Sequence, residues 1–438
     1  MPLNSQDASA RHTLTRSDAR TLVLAALGGA LEYYDFIIFV FFTGVIGQLF
    51  FPPDTPDWLR QLQVLGVFAV GYLARPLGGI VMAHFGDRSG RKRMFTLSVF
   101  LMAIPTLLIG LLPTYVTLGY AAPLALLVLR ILQGAAVGGE VPGAWTFVAE
   151  HVPDRRVGFA CGTLTSGLTV GIVLGSLMAT WVNHTWTAPE IQAFAWRIPF
   201  LVGGVFGFFA VFLRRLLVET PVFEEMRLRQ TLVQGLPLRV VLAGHGRAIV
   251  ISMLLTWVLT AGIVVVILMT PGLMQKSFGI SAADASTANT FATIGLSIGC
   301  IVFGLLADRF GVERMLAIGC VLLLAATYAL YVGVARDAQY FDVLYAIAGF
   351  CVGVVGVIPT VLVRAFPPPI RFSGISFAYN VAYAICGGLT PLFVGWLVVR
   401  QPLAPAHYVA ALCGVGVVTA AWIAASAAAP ARVASPAA

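Results

Sequence analysis

Twelve apolar segments, each about twenty residues long and parted by short polar turns, run from residue 21 to residue 426, and few folds can use such a pattern. At 1.5 Å per residue, a helix needs about 20 apolar residues to cross the ~30 Å hydrocarbon core of a bilayer. The segments lie near 21–45, 61–84, 94–113, 118–144, 157–182, 196–216, 247–271, 284–306, 313–333, 340–364, 371–398 and 405–426. Composition agrees: 59% of residues are hydrophobic and 11% charged, with a mean hydropathy of +0.91, whereas an ordinary soluble domain has about a quarter of its residues charged. A closed β-barrel is excluded, because the runs are too long and show no period-two alternation. The expected fold class is an all-α integral membrane protein with 12 transmembrane helices. A first bundle spans 21–216 and a second 247–426, joined by a central loop, 217–246, with disordered tails at 1–20 and 427–438.

Of the 27 Lys and Arg residues, only Arg60, Arg197, Lys276, Arg336 and Arg400 fall in the turns of one side, and Arg75 and Arg130 fall inside helices. The rest crowd the opposite side, which the positive-inside rule makes cytoplasmic, together with both termini. The sequence pI near 9.4 follows from this asymmetry, so nucleic acid is not an expected partner. Cys161, Cys300, Cys320, Cys351, Cys386 and Cys413 all lie in apolar segments without metal-like spacing and read as packing residues. No metal and no cofactor are expected. The expected partners are lipid, a small-molecule substrate and protons, and the expected state is a monomer.

Two carboxylates interrupt the first apolar segment, in LEYYDFIIFV (Leu31–Val40). An ionised side chain at the bilayer centre costs about 3 kcal/mol or more, so Glu32 and Asp35 need a reason to be there. They are three residues apart and share a helix face near mid-depth. Arg75 is at similar depth in the second segment. A carboxyl that met Arg75 in one state and lost it in another would bind and release a proton. A permanent ion pair that orients the helices is the other reading, with the spare carboxyl protonated or bonded to Tyr33 or Tyr34.

The turn GDRSGRKRM (Gly86–Met94) recurs in degraded form as ADRFGVERM (Ala307–Met315), between the second and third helices of each half. Equivalent turns in two halves indicate parallel repeats about an axis along the membrane normal. Asp87, Arg88, Gly90, Arg91 and Lys92, and their counterparts Asp308 and Arg309, are read as loops at the membrane edge, where the aspartate caps the following helix and pairs with basic residues to lock the cytoplasmic gate.

With this repeat, FAVGYLARPLGGIVMAHFGDRSGRK (Phe68–Lys92), RILQGAAVGGE (Arg130–Glu140), WRIPFLVGG (Trp196–Gly204), ETPVFEE (Glu219–Glu225) and FPPPIRFSGISFAYNVAYAICGG (Phe366–Gly388) resemble the metabolite:proton symporter branch of the major facilitator superfamily. That branch includes α-ketoglutarate, citrate, shikimate and proline/betaine permeases. The resemblance implies two pseudo-symmetric six-helix bundles, alternating access and proton-driven transport of a small polar metabolite, an organic acid or a zwitterion. It also implies that Arg75, in ARPLGG, contacts an anionic substrate, as a planar guanidinium suits a carboxylate. Arg130 and Glu140 are candidates for proton movement beside Asp35 and Glu32, with an ion pair at the bundle core as the other reading. Tyr34, Gln133, Trp257, Asn380 and Tyr383 are the other candidate substrate contacts.

The second half has no Lys or Arg at mid-depth, and its deeper polar residues are Thr256, Trp257, Thr260, Asn289, Tyr379, Asn380 and Tyr383. A monoanion or zwitterion, held by Arg75 on one side and aromatic or amide groups on the other, fits this half as well as a dicarboxylate. The fifth segment lacks the Gly-Pro pair associated with drug/proton antiporters, which favours import; export of organic acids, metal chelates or drugs is the rival. An enzyme would need a nucleophile or metal constellation that the six histidines and six cysteines do not provide.

Overall fold

The computed structural model describes residues 14–233 and 235–428; the expected tails at 1–13 and 429–438 lie outside them. Twelve long helices cross the molecule: α1 (Arg16–Phe41), α2 (Asp57–Ser89), α3 (Arg91–Leu111), α4 (Ala121–Ala149), α5 (Val157–Thr185) and α6 (Arg197–Arg215), then α7 (Gly246–Phe278), α8 (Ala282–Phe310), α9 (Val312–Arg336), α10 (Ala338–Ala365), α11 (Arg371–Val398) and α12 (Ala404–Ala428). Eleven of them are long and apolar enough to span a membrane, and the twelfth, α2, is 33 residues long. No strand occurs among the described residues.

The helices begin and end where local chemistry dictates. α1 starts at Arg16, five residues before the apolar run, because Thr15 and Asp18 form a capping box there. The expected tail therefore ends earlier than residue 20. α2 continues through Asp87 and Arg88 to Ser89, so these two residues sit in a last helical turn and the connection to α3 is Gly90 alone. Gly90 has φ 115°, and a Cβ there would overlap the Glu219 carboxylate. Gly311 makes the same one-residue turn between α8 and α9 with φ 100°.

In the first bundle α2 packs on α4, α1 on α5 and α3 on α6; in the second, α8 packs on α10, α9 on α12 and α7 on α11. The bundles meet along α5 with α8 and along α2 with α11. At Gly138 the backbones of α4 and α2 touch, since a Cβ there would overlap the Arg75 carbonyl. Close approach of this kind replaces the hydrophobic drive that helices lack in lipid.

The arginine-rich end is closed by two reciprocal caps. Asp87, on α2, accepts the Ser373 N–H in the first turn of α11 (2.9 Å). Asp308, on α8, accepts the Gly158 and Phe159 N–H groups in the first turn of α5 (2.8 Å each). Each repeated aspartate thus neutralises the positive end of a helix in the opposite bundle, not of the helix that follows it. Arg91 is fully buried, ion-paired with Asp87 (3.0 Å) and Glu150 (3.4 Å), and donates to the Pro368 carbonyl (2.8 Å). Glu150 also holds Arg371 (3.0 Å). Lys92 joins through its backbone N–H, donated to Glu219. Arg88 and Arg309 are not part of this lock: both are exposed, one beside His84 (3.4 Å) and the other over the Phe310 ring.

Candidate functional site

Two polar clusters lie deep in the molecule, and they are separate. The first surrounds Arg75, which is 1% exposed. No carboxylate pairs with it among the described residues. Its guanidinium carbon lies 4.3 Å from the ring centre of Tyr383, 5.3 Å from that of Tyr379 and 5.7 Å from that of Tyr72. Tyr72 and Tyr383 stack in parallel across the bundle interface, 5.7 Å apart. Tyr33 completes the box, its hydroxyl meeting that of Tyr383. Tyr33 is partly exposed, whereas Tyr72, Tyr379 and Tyr383 are buried. Arg75 Nε donates to Asn380 Oδ1 at 3.4 Å, and its buried Nη2 has no hydrogen-bond partner among the described residues.

The second cluster lies within the first bundle. Arg214, fully buried, donates to Glu32 from Nε (3.1 Å) and Nη2 (2.9 Å). Its side chain runs along α1, giving an Nη1 bond to the Ala25 carbonyl (3.4 Å) and lying against Gly28 and the Phe95 ring. Glu140, 2% exposed, comes from α4, and its carboxyl lies against that of Glu32. Asp35, 1% exposed, faces Gly203 and Gly207 of α6, and neither of its carboxylate oxygens has a hydrogen-bond partner among the described residues. Glu32 holds the Arg214 guanidinium directly and Glu140 lies against Glu32, while Asp35 stands beside them without a partner of its own among the described residues.

This geometry corrects several sequence expectations. Asp35 and Arg75 are both interior, but they do not pair; the arginine that a carboxylate meets is Arg214, bound to Glu32, which the charge count had assigned to the cytoplasmic side at the end of the sixth segment. Tyr34 is a structural residue, donating to the Pro199 carbonyl (3.0 Å) toward α6, while Tyr33, one residue earlier and about 100° around the helix, enters the box. Gln133 is used up between Arg130 (2.9 Å) and Thr106 (2.7 Å). Arg130 is fully buried above the Phe36 and Phe39 rings and makes no ion pair with Glu140. Trp257 donates to Tyr408 of α12 (2.8 Å) and does not reach the box. Asn380 and Tyr383 both face Arg75. In GYLARPLGG (Gly71–Gly79) Tyr72 stands three residues before Arg75, and in FAYNVAY (Phe377–Tyr383) Tyr379 and Tyr383 are four apart, a signal that could have found the box.

A model of the Major Facilitator Superfamily matches residues 25–391 and 251–437. The chain belongs to the major facilitator superfamily. It is 33% identical over 406 residues to a putative proline/betaine transporter of Staphylococcus aureus (strain COL), covering 91% of this chain and 86% of that protein. It is 31% identical to the glycine betaine/proline/ectoine/pipecolic acid transporter OusA of Dickeya dadantii (96% and 86% covered), and 30% identical to the proline/betaine transporter of Escherichia coli K12 (96% and 86%). In fold it is similar to the proton:xylose symporter XylE bound to 6-bromo-6-deoxy-D-glucose (TM-score 0.77, 17% identity, 93% and 95% covered) and to the Escherichia coli fucose:proton symporter FucP (TM-score 0.70, 15% identity, 93% and 99%). The chain is thus a multi-pass membrane transporter of the superfamily and not an enzyme.

Proposed function

We propose that this chain is a proton-coupled symporter of a small zwitterion of the proline and betaine class, working as a monomer in the bacterial inner membrane with both termini cytoplasmic. The observation that carries the reading is a buried arginine with an open donor inside a box of four tyrosines. A buried guanidinium without a carboxylate calls for an anion, and the substrate carboxylate supplies it. Tyrosine faces attract an ammonium or quaternary nitrogen, worth about 2 kcal/mol when desolvated. One carboxylate and one adjacent cation fill such a site; a di- or tricarboxylate would leave a charge unmatched. The names of the curated relatives support the same class.

Glu32, Asp35 and Glu140 are the proposed proton carriers, with Arg214 as their fixed countercharge. Arg130 lies on the same helix as Glu140 but is held by Gln133 and the Phe36 and Phe39 rings, apart from these acids. The proton gradient drives uptake without a cofactor. Asp87, Gly90, Arg91, Lys92 and Asp308 hold the cytoplasmic end shut while the box is loaded from outside.

The test is proton influx into proteoliposomes holding a pH dye. Glycine betaine or proline added outside should acidify the lumen, and citrate or α-ketoglutarate should not. Tyr383→Leu should weaken betaine uptake by roughly tenfold, while Tyr383→Phe keeps most of it, since the ring and not the hydroxyl holds the cation. Acidification by citrate with silence for betaine would overturn the zwitterion reading.

A further inference from the structure

Pro142 lies inside α4. Having no N–H, it cannot bond to the carbonyl four residues back, which belongs to Gly138. That carbonyl is at mid-depth, where an unmet acceptor is costly. It is met from the other bundle: Asn380 Nδ2 of α11 donates to Gly138 O at 2.7 Å and to its own Ser376 carbonyl at 2.8 Å. The other end of the same amide, Oδ1, accepts from Arg75 Nε. Both ends of Asn380 are therefore assigned, one to the guanidinium of the tyrosine box and one to the backbone of α4.

The place is tight on every side. A Cβ at Gly79 of α2 would meet Asn380 Nδ2, Ser376 Oγ and Gly138 O together. Two residues beyond Gly138 on α4, about 200° around the helix, is Glu140, against Glu32. A movement of α4 released at Gly138 therefore changes the contact of the two carboxyls on its far face.

We infer that Asn380 and the carbonyl freed by Pro142 form a latch between the bundles, and that a substrate carboxylate taking Arg75 away from Asn380 releases it. Asn380 is a positioning residue: it ties occupancy of the box to α4, and through α4 to the proton-carrying acids. The latch itself stands on the geometry, and only its trigger rests on the zwitterion reading.

Cys161 gives a native reporter. It is fully buried on α5 and its thiol contacts Thr360 of α10, across the bundle interface, so its alkylation rate, read by mass spectrometry on the intact transporter, measures opening. Asn380→Ala should raise this rate roughly tenfold, the effect of losing one buried hydrogen bond. Asn380→Asp keeps the Arg75 acceptor, loses the donor to Gly138, and should raise it similarly if the alanine variant folds poorly. Pro142→Ala gives the Gly138 carbonyl an N–H donor within α4, so adding Asn380→Ala to Pro142→Ala should change the rate less than twofold. Multiplying effects in the double variant, or no change in both Asn380 variants, would overturn the latch.

Glycine betaine should raise the Cys161 rate in the unsubstituted protein and leave Asn380→Ala unchanged. If betaine does nothing to the unsubstituted protein while the double-variant result holds, the zwitterion reading fails and the latch stands. If betaine acts equally on both, the trigger is wrong.

Discussion

The two bundles share a fold and a gate motif but divide the chemistry unequally. Every buried charge at mid-depth, Glu32, Asp35, Arg75, Arg130, Glu140 and Arg214, belongs to the first bundle. Among the described residues the second bundle has no buried charged side chain and faces Arg75 with Tyr379, Tyr383 and Asn380. The difference has a physical consequence. In the rocking motion proposed here, neutral groups slide past fixed charges, so among the described residues no ion pair between the bundles has to be broken at mid-depth, where its separated ions would each cost several kcal/mol. Ion pairs between bundles occur at the arginine-rich end, where Arg371 meets Glu150 and water can compensate.

The sharpest way to break this division is at Arg75. Arg75→Lys keeps the charge but loses the planar fork and its stacking on the tyrosine faces. Uptake of glycine betaine should fall by roughly 100-fold, consistent with about 2–5 kcal/mol for truncating a buried charge contact. Thermal stability should change little, because no carboxylate partner is left alone. If Arg75→Lys transports normally, the charge asymmetry is structural and the substrate is held elsewhere.

A second test moves to the acids. Glu32→Gln removes the carboxylate that Arg214 holds directly and leaves only Glu140 nearby, and removal of one partner from a buried pair costs up to about 3–5 kcal/mol. The unfolding temperature in detergent should drop. The double variant Glu32→Gln with Arg214→Met should recover most of it, while substrate-driven proton influx stays absent and substrate exchange across the membrane continues. Intact proton influx in the stable double variant would remove Glu32 from the proton path.

What the sequence made legible follows the same physical line. Twelve spans, their order and the paired turns could be read because apolar length and charge asymmetry are one-dimensional signals. That Glu32, Asp35, Arg75 and Arg130 lie inside could also be read, since charge in an apolar helix has few other places to go. Their partners could not. Helical rotation decides that Tyr33 and not Tyr34 enters the box, and an error of one residue is an error of about 100°. Arg214 was hidden for a different reason: its α-carbon is at the helix end, where the charge count assigns it to the membrane edge, but its long side chain climbs past Gly28 to Glu32. Trp257 shows the opposite failure, a polar aromatic at plausible depth on the wrong face.

The gentlest test asks whether the degraded repeat is degraded in function. Sequence alone ranks ADRFGVERM below GDRSGRKRM, yet Asp308 accepts two N–H groups of α5 and Asp87 accepts one of α11. Charge at a helix N-terminus is worth about 0.3–1 kcal/mol when exposed and up to ~2 kcal/mol when partly buried. Asp308→Asn and Asp87→Asn should therefore each raise Cys161 alkylation several-fold. Asp87→Asn also strips Arg91 of a counterion, but Glu150 remains at 3.4 Å, so that loss is partly offset. The two variants should differ by less than about threefold, a gap of ~0.6 kcal/mol. A gate closed by two equal caps would then explain how the second bundle, poor in buried charge, still holds half of the lock: its aspartate needs only the backbone N–H groups that any helix start provides.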